Sequence, residues 1–412
     1  MLTLKLREWE RKSNVDLTAE QIGNLQSIDG IRVEARTDGN YDITPTGNLV
    51  GYVRRGDTSV VIEPSKCGAA QVIFMMGYSE NPNMFGSELV DFDQDDDLLE
   101  AFISVFVRSA SAAIERGLFR TYASQDEDLS TIRGRIRMSD QMARRFRLSP
   151  PIAVTFDEFT VDNYENRILR SAIQLASQLP IRHQATARGL QYLRAMFSDV
   201  SLVEFNRSSV IEPVWNRLNE HLIYPVSLAR RILTNSSISL DHGVASSDEF
   251  LINMANVFED FVATAVREHL NLSKVEMPRA NELKGKLFLD EESKIRLKPD
   301  LSRWQGERCI AIGDVKYKRT TANGVKYPDI YQLLAYATAA NLPQASVIYA
   351  MAKDDEEGIR LLGDHLVLGT SALIKVFALD LQQPSSDVLQ QISEFADNFR
   401  EHPALAVQGL TA

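Results

Sequence analysis

The chain has 412 residues, 44% of them hydrophobic and 25% charged, and carries a net charge of −11. That length allows two or three domains with their own cores and excludes a single small module. The acidic balance excludes a protein that coats nucleic acid nonspecifically, so any DNA contact must be local.

Only Cys67 and Cys309 are present. They give no disulfide framework and no cysteine-based zinc site, which suits a reducing, cytoplasmic setting. Residues 1–10 lack the apolar core of a signal peptide, and no apolar run approaches the roughly 20 residues of a membrane helix. A soluble, unprocessed chain with no membrane association is expected.

Residues 27–66 read as short strands punctuated by turns: 31–35, then Gly51-Tyr52-Val53 before Arg55-Gly56-Asp57, then Ser59 through Pro64. A helix over 69–78 follows, then a loop ending in Asp91, Asp93, Asp95, Asp96 and Asp97. The plain reading of that acidic run is a solvated surface, and the sharper one is a metal site. The spacing of Leu98, Leu99, Phe102, Val105 and Phe106 predicts a helix over 98–116 that packs on the β-rich module.

Between 131 and 147 stand Arg133, Arg135, Arg137, Arg144, Arg145 and Arg147 against Asp140 alone. The window could contact phosphates. A strand at Arg133-Gly134-Arg135-Ile136 followed by a helix with a charged outer face explains it equally well. Residues 152–270 are mainly helical in pattern, broken near Pro180, Pro213, Pro225 and the polar stretch 241–247, where a domain boundary is expected. A long apolar helix is predicted over 250–270. Strands follow at 285–289, 295–301 and 308–317, a helix at 328–340, and strands at 345–350 and 372–378, an order that suits a mixed sheet flanked by helices.

The chemistry concentrates in this last region. On a strand, Asp314 and Lys316 at i and i+2 project to one side while Val315 enters the core. Asp300 follows Pro299 at the end of the preceding strand, and residues 302–308, with Gln305-Gly306, read as the turn that brings the two carboxylates together. Two such carboxylates can hold a hard divalent cation, and a lysine beside them can orient or deprotonate an attacking water, which is what phosphodiester cleavage needs. The plain alternative is a strand with two exposed charges paired across a hairpin.

Glu259, on the apolar helix with Leu251, Met254, Val257, Phe258 and Phe261, is the natural third acid, although a helical Glu beside a core stripe is commonly just a surface residue. Gln332 and Tyr336 stand one turn apart on one helix face, placed to position the lysine or a DNA backbone. Residues 294–319 hold eight basic residues, among them Lys298, Lys318 and Arg319, against three acidic ones. Local basic charge around a carboxylate pair fits a polyanionic substrate.

Pro299-Asp300 with Asp314-Val315-Lys316, and Gln332/Tyr336 downstream, resemble the PD-(D/E)-x-K nuclease superfamily. Together with Arg133-Gly134-Arg135-Ile136, the segment from Asp162 to Leu169, the segment from Met254 to Phe261 and Val60 through Lys66, they resemble the McrC family, the nuclease subunits of McrBC-type, modification-dependent restriction systems.

The resemblance implies an α+β chain in three parts: residues 1–150 a β-rich, partner-docking domain, 151–245 a helical middle region, and 246–412 an endonuclease domain with a mixed sheet. It implies Mg²⁺ held by Asp300 and Asp314, Lys316 as catalytic lysine, Glu259 as supporting acid, and double-stranded DNA as substrate. It also implies a partner, an McrB-like AAA+ GTPase ring that binds GTP and recognises 5-methylcytosine. The chain itself has no Gly-x-x-x-x-Gly-Lys-Ser/Thr phosphate loop. Two other readings stay open: a non-cleaving activator of the AAA+ partner, and a stand-alone repair nuclease of the same superfamily.

Overall fold

A computed structural model describes residues 2–82, 97–145, 150–205, 210–236, 249–280, 282–283, 287–318, 326–351, 360–369 and 372–400. The fold is α+β, as expected, and forms two compact units, Met1–Phe102 with Ser239–Ala412, and Ile103–Ile238. Most of the acidic run (Asp91 to Asp96), Arg147, the stretch 241–247 and Arg319 lie outside the described residues. Among the described residues no helix is long and apolar enough to cross a membrane.

The first unit opens with β1 (Leu2–Arg7), β2 (Lys12–Val15), α1 (Ala19–Gln26), β3 (Ile31–Ala35), β4 (Tyr41–Pro45), β5 (Leu49–Arg55), β6 (Thr58–Glu63) and α2 (Ala69–Glu80). Thr18 starts α1 with a reciprocal capping box to Gln21. Strands β2-β4-β3 form one sheet, and β1-β6-β5 form the other with a fourth strand from far along the chain. Leu4 and Leu6 of β1, Leu25 of α1, Ile43 of β4 and Val60 and Ile62 of β6 share one buried cluster.

That fourth strand corrects one expectation. Residues 249–270 are not one helix: β10 (Glu249–Asn253) pairs antiparallel with β5 before α8 (Met254–His269) begins. The break has a local cause, since the Asn253 side chain accepts from the amides of Ala255 and Asn256 and so caps α8. Phe250 and Ile252 are buried in alternation, a period too short to separate from the helix by hydrophobicity alone. Gly51 makes the pairing possible. Its φ is +128°, and a Cβ there would lie 2.1 Å from the Phe250 carbonyl oxygen.

The rest of this unit is a five-stranded sheet, β11 (Leu301–Gln305), β12 (Arg308–Lys316), β13 (Gln344–Ala350), β14 (Arg360–Leu366) and β15 (Leu373–Leu379), in the order β11-β12-β13-β15-β14. The central pairs are parallel and the two edges antiparallel. The crossover helix α9 (Tyr327–Ala340) places Leu333, Tyr336 and Ala337 in one core with Ile312, Val347 and Ile374. Helix α8 packs on β12, and α10 (Ser385–Ala396) packs on β15 and on α8.

The second unit contains most of α3 (Leu98–Ala113), then β7 (Thr121–Leu129), β8 (Arg135–Ile136), α4 (Met138–Arg145), β9 (Ile152–Thr160), α5 (Tyr164–Ala176), α6 (Gln184–Met196) and α7 (Ile223–Asn235). Here β9 replaces the start of the predicted helical region, because Ile152, Val154 and Phe156 alternate into a small cluster with Leu129 and Ile136. Gly134, at φ +73°, lets the chain approach β9 so closely that a Cβ would lie 2.3 Å from the Thr155 carbonyl oxygen.

Two arginines of the basic window are engaged internally. Arg133 lies 4.1 Å from the Phe156 ring centroid, and Arg137 pairs with Asp140 and approaches Asp126 at 3.7 Å. The segment from Asp162 is likewise structural: Asn163 caps α5, Asn166 donates to the Phe119 and Val161 carbonyls at 2.8 and 2.7 Å, and Arg167 forks onto Asp162.

Gly51→Ala should lower stability by about 2–3 kcal/mol in urea denaturation, through strain at a positive φ and displacement of β10. Gly23→Ala, in α1 with nothing within 4 Å of the added Cβ, should instead be neutral or stabilising by up to about 1 kcal/mol.

Candidate active site

The hairpin that carries the site runs differently from the sequence reading. β11 begins at Leu301 and the turn is Gly306-Glu307, so Asp300 stands just before a strand rather than near the end of one. The apolar alternation of 295–301 suggests a strand, but the ladder pairs 301–305 with 308–313. The convergence survives the shift: Leu301 registers with Gly313, and Asp300 Oδ2 accepts the Val315 amide at 2.9 Å.

A relay from α9 fixes the approach to Asp300. Gln332 Nε2 donates to the Tyr336 hydroxyl at 2.6 Å, and that hydroxyl donates to the Lys298 carbonyl at 3.1 Å. Pro299 is buried between Lys298 and Asp300, and a residue before proline is restricted to extended backbone. Gln332 and Tyr336 therefore hold the segment that presents a carboxylate. Their contact is with this protein backbone, not with Lys316.

Asp314 is 0% exposed, with no hydrogen-bond donor on Oδ1. The Lys316 ammonium makes an ion pair with its Oδ2 and lies 3.9 Å from Asp300 Oδ2. Burial, and then the facing charge of Asp300, push the Asp314 carboxyl well above the ordinary range, with Lys316 opposing. For Lys316, desolvation works to lower the pKa, but the charges of Asp314, Asp300 and Asp329 outweigh it and leave the ammonium raised. The ammonium form of Lys316 is thus favoured beside the two carboxylates.

Glu259 sits half-buried on α8. Its carboxyl is pushed up to about 7, by burial first and then by Asp300 and Asp260, while Lys316 and Arg279 work against the shift. It lies within the electrostatic reach of the pair. Lys298 is exposed. Lys318 is held differently, its ammonium donating to Asp329 Oδ1 at 2.7 Å.

Buried Asp329 also accepts from the Tyr349 hydroxyl at 2.7 Å. Sequence reasoning passed over it, although an acid in the first turn of the Gln332/Tyr336 helix was the available signal. Glu8, Lys66 and Tyr317, packed behind the end of β12, carried no signal of that kind.

The donor set is compatible with a small, hard divalent cation. Asp314 offers a buried Oδ1 without a hydrogen bond beside an Oδ2 shared with Lys316, and Asp300 stands opposite with an amide on one of its oxygens. Among the described residues no group of three or more His, Cys, Asp and Glu could hold an ion by itself. Such a set matches Mg²⁺, which is commonly bound through one or two carboxylates plus water and substrate phosphate.

A family model described as McrBC 5-methylcytosine restriction system component matches residues 45–350. No curated protein matches the chain. Among solved structures, a chain of the refined half-complex from the tetradecameric assembly of Thermococcus gammatolerans McrB AAA+ hexamers with bound McrC aligns at a TM-score of 0.61 and 17% identity, covering 96% of this chain and 100% of that one. A chain of the cryo-EM Thermococcus gammatolerans McrBC complex aligns at 0.42 and 18%, covering 65% and 88%. The first of these likenesses speaks for the fold.

A carboxyl whose pKa is raised on folding stabilises the fold fully below its ordinary value of 4.5, and that contribution is lost as the pH climbs through about 7. In metal-chelated buffer, wild-type thermal stability should fall between about pH 5 and about pH 8 relative to Glu259→Gln, which has no proton to lose. The variant should lead by roughly 2–4 °C at the upper end. Parallel profiles would place Glu259 outside the acidic pocket.

Proposed function

Since the match over residues 45–350 of 412 shows that this chain belongs to the McrBC family, we propose that it is the family's DNA-cleaving subunit, a Mg²⁺-dependent endonuclease working with an McrB-like AAA+ GTPase. One observation carries the reading: a wholly buried Asp314 carboxylate that faces Asp300, with no donor on Oδ1 and the Lys316 ammonium on Oδ2. An arrangement so costly to the metal-free fold is what a cation site looks like.

Asp300 and Asp314 would hold the metal, which when bound supplies Lewis-acid polarisation of a phosphoryl oxygen and acidifies its water. Lys316 adds a fixed positive charge beside them, preorganised for the charge that develops at the phosphate. Gln332 and Tyr336 keep the Pro299-Asp300 segment in place through the Lys298 carbonyl. Glu259, with a carboxyl near 7, is partly protonated at neutral pH and so repels an incoming phosphodiester less than a full carboxylate would. Exposed Lys298 would supply basic charge for the DNA backbone, with Lys318, though paired with Asp329, and Arg319 as further basic residues of the same stretch of sequence.

The chain has no phosphate-loop motif, so GTP binding and hydrolysis fall to the partner on this reading. The Thermococcus assembly, in which McrB hexamers carry bound McrC, supports a hexameric ring as that partner; recognition of methylated cytosine would fall to the ring as well.

With the partner ring, GTP, Mg²⁺ and 5-methylcytosine-containing plasmid DNA, Asp314→Ala should lower cleavage by roughly 10²-fold or more. The same variant should stimulate the partner's GTPase normally. Mg²⁺ alone should raise the melting temperature of the wild type and not of the variant. Full-rate cutting by Asp314→Ala would sink the nuclease assignment, and a wild-type chain that stimulates the GTPase without cutting would leave the activator role instead.

A further inference from the structure

Lys66, just beyond β6, is 2% exposed, and its ammonium is inside the protein. It donates to the Lys318 carbonyl at 2.7 Å and to the Ala350 carbonyl. These two acceptors lie at the carboxyl ends of the parallel strands β12 and β13, just past the registered pair Lys316 and Tyr349. The ladder between the strands has run out there, leaving carbonyls that must find other donors.

The surroundings of the ammonium are built. The rings of Trp9 and Tyr317 stand with centroids 5.9 and 5.6 Å from Nζ, and 5.7 Å from each other. Glu8, also 2% exposed, accepts from the Tyr317 hydroxyl at 2.9 Å and the Ser65 amide at 3.0 Å through Oε2, while Oε1 has no hydrogen-bond partner. Burial pushes the Glu8 carboxyl up to about 7, and the charge of Lys66 works against that shift.

A buried charge is a poor device for stability, because apolar residues of similar volume often do as well. What an apolar side chain cannot do is bind two diverging strands at once. Three N–H donors on one nitrogen can, and the strands they bind here carry the site. Lys318 follows Lys316 by two residues. Tyr349, beside Ala350, holds Asp329, whose charge helps keep Lys316 protonated.

We infer that Lys66 is a positioning residue for DNA cleavage: by stapling the ends of β12 and β13 it holds the Lys316 ammonium in register with the Asp300/Asp314 pair. The inference rests on the nuclease reading above. Small displacements of a group that acts on the reacting atoms slow the chemistry without weakening substrate binding.

The test is cleavage by the full chain with the partner ring, GTP and Mg²⁺, measured against the concentration of 5-methylcytosine-containing DNA, with GTPase stimulation read in parallel. Lys66→Met should lower the rate at saturating DNA by roughly 10- to 100-fold and leave the half-saturating DNA concentration and GTPase stimulation unchanged. Should the single variant not fold, Glu8→Gln/Lys66→Met, which leaves no unpaired buried ion, should show the same selective loss. Ile43→Ala, in the N-terminal core and away from β12, should cut at the wild-type rate below its melting temperature. Wild-type cutting by either Lys66 variant overturns the inference, as does a change in half-saturation alone or an equal loss in Ile43→Ala. Asp314→Ala run alongside separates the two readings: if it is inactive while the Lys66 variants cut fully, only the positioning role falls.

Discussion

Burial of the Asp314 carboxylate opposite Asp300 is the constraint on which the rest of the first unit turns. Two like charges brought together away from water destabilise each other, and among the described residues nothing donates to Asp314 Oδ1. The surrounding residues answer that problem by degrees. Lys316 supplies a compensating charge, Asp329 and Tyr349 keep the region around that charge fixed, and the Gln332–Tyr336 relay prevents Asp300 from retreating. Each of these groups is satisfied by partners of its own. Asp314 has one oxygen, Oδ1, without a donor, and a buried acceptor left so calls for an explanation.

The same unit shows why the N-terminal sheets and the C-terminal sheet belong together. β10 completes the sheet of β1, β6 and β5, and the next residue begins α8, the helix that bears Glu259. Lys66 and Glu8 then reach the far end of β12 from the other direction. The acid on α8 and the end of β12 are thus both referred to the N-terminal module. On the proposed reading, a partner that docks on that module acts on a body continuous with the site.

Much of the site was legible because it rests on short-range rules. The two-residue period of a strand puts Asp314 and Lys316 on one side, and a hairpin brings a preceding Pro-Asp alongside. The 3.6-residue period puts Gln332 and Tyr336 on one face. What was misread locally was boundary and period. Asp300 precedes β11 instead of ending a strand, and the apolar residues of 249–253 and 152–160 were counted into helices because their hydrophobicity matched that of the helices beside them. What was not legible at all was contact over distance. Lys66 meets its acceptors 252 and 284 residues later, and no pattern within a window of sequence marks a buried lysine whose partners are backbone carbonyls.

The composition of the carboxylate set bears on what licenses a cut. Two aspartates do not make a closed cage, and among the described residues no third His, Cys, Asp or Glu joins them as a ligand. A site of that kind relies on water and substrate phosphate to complete the shell, so cation affinity and DNA occupancy reinforce each other. The charge of Lys316 adds to this on the proposed reading, because it offsets the carboxylates in the metal-free chain and would be released toward the phosphate once a cation took that role over. On the proposed reading, the site is therefore quiet until DNA is delivered to it. A partner that brings DNA needs no separate switch at the chemistry, only the means to place a phosphodiester where the shell is open.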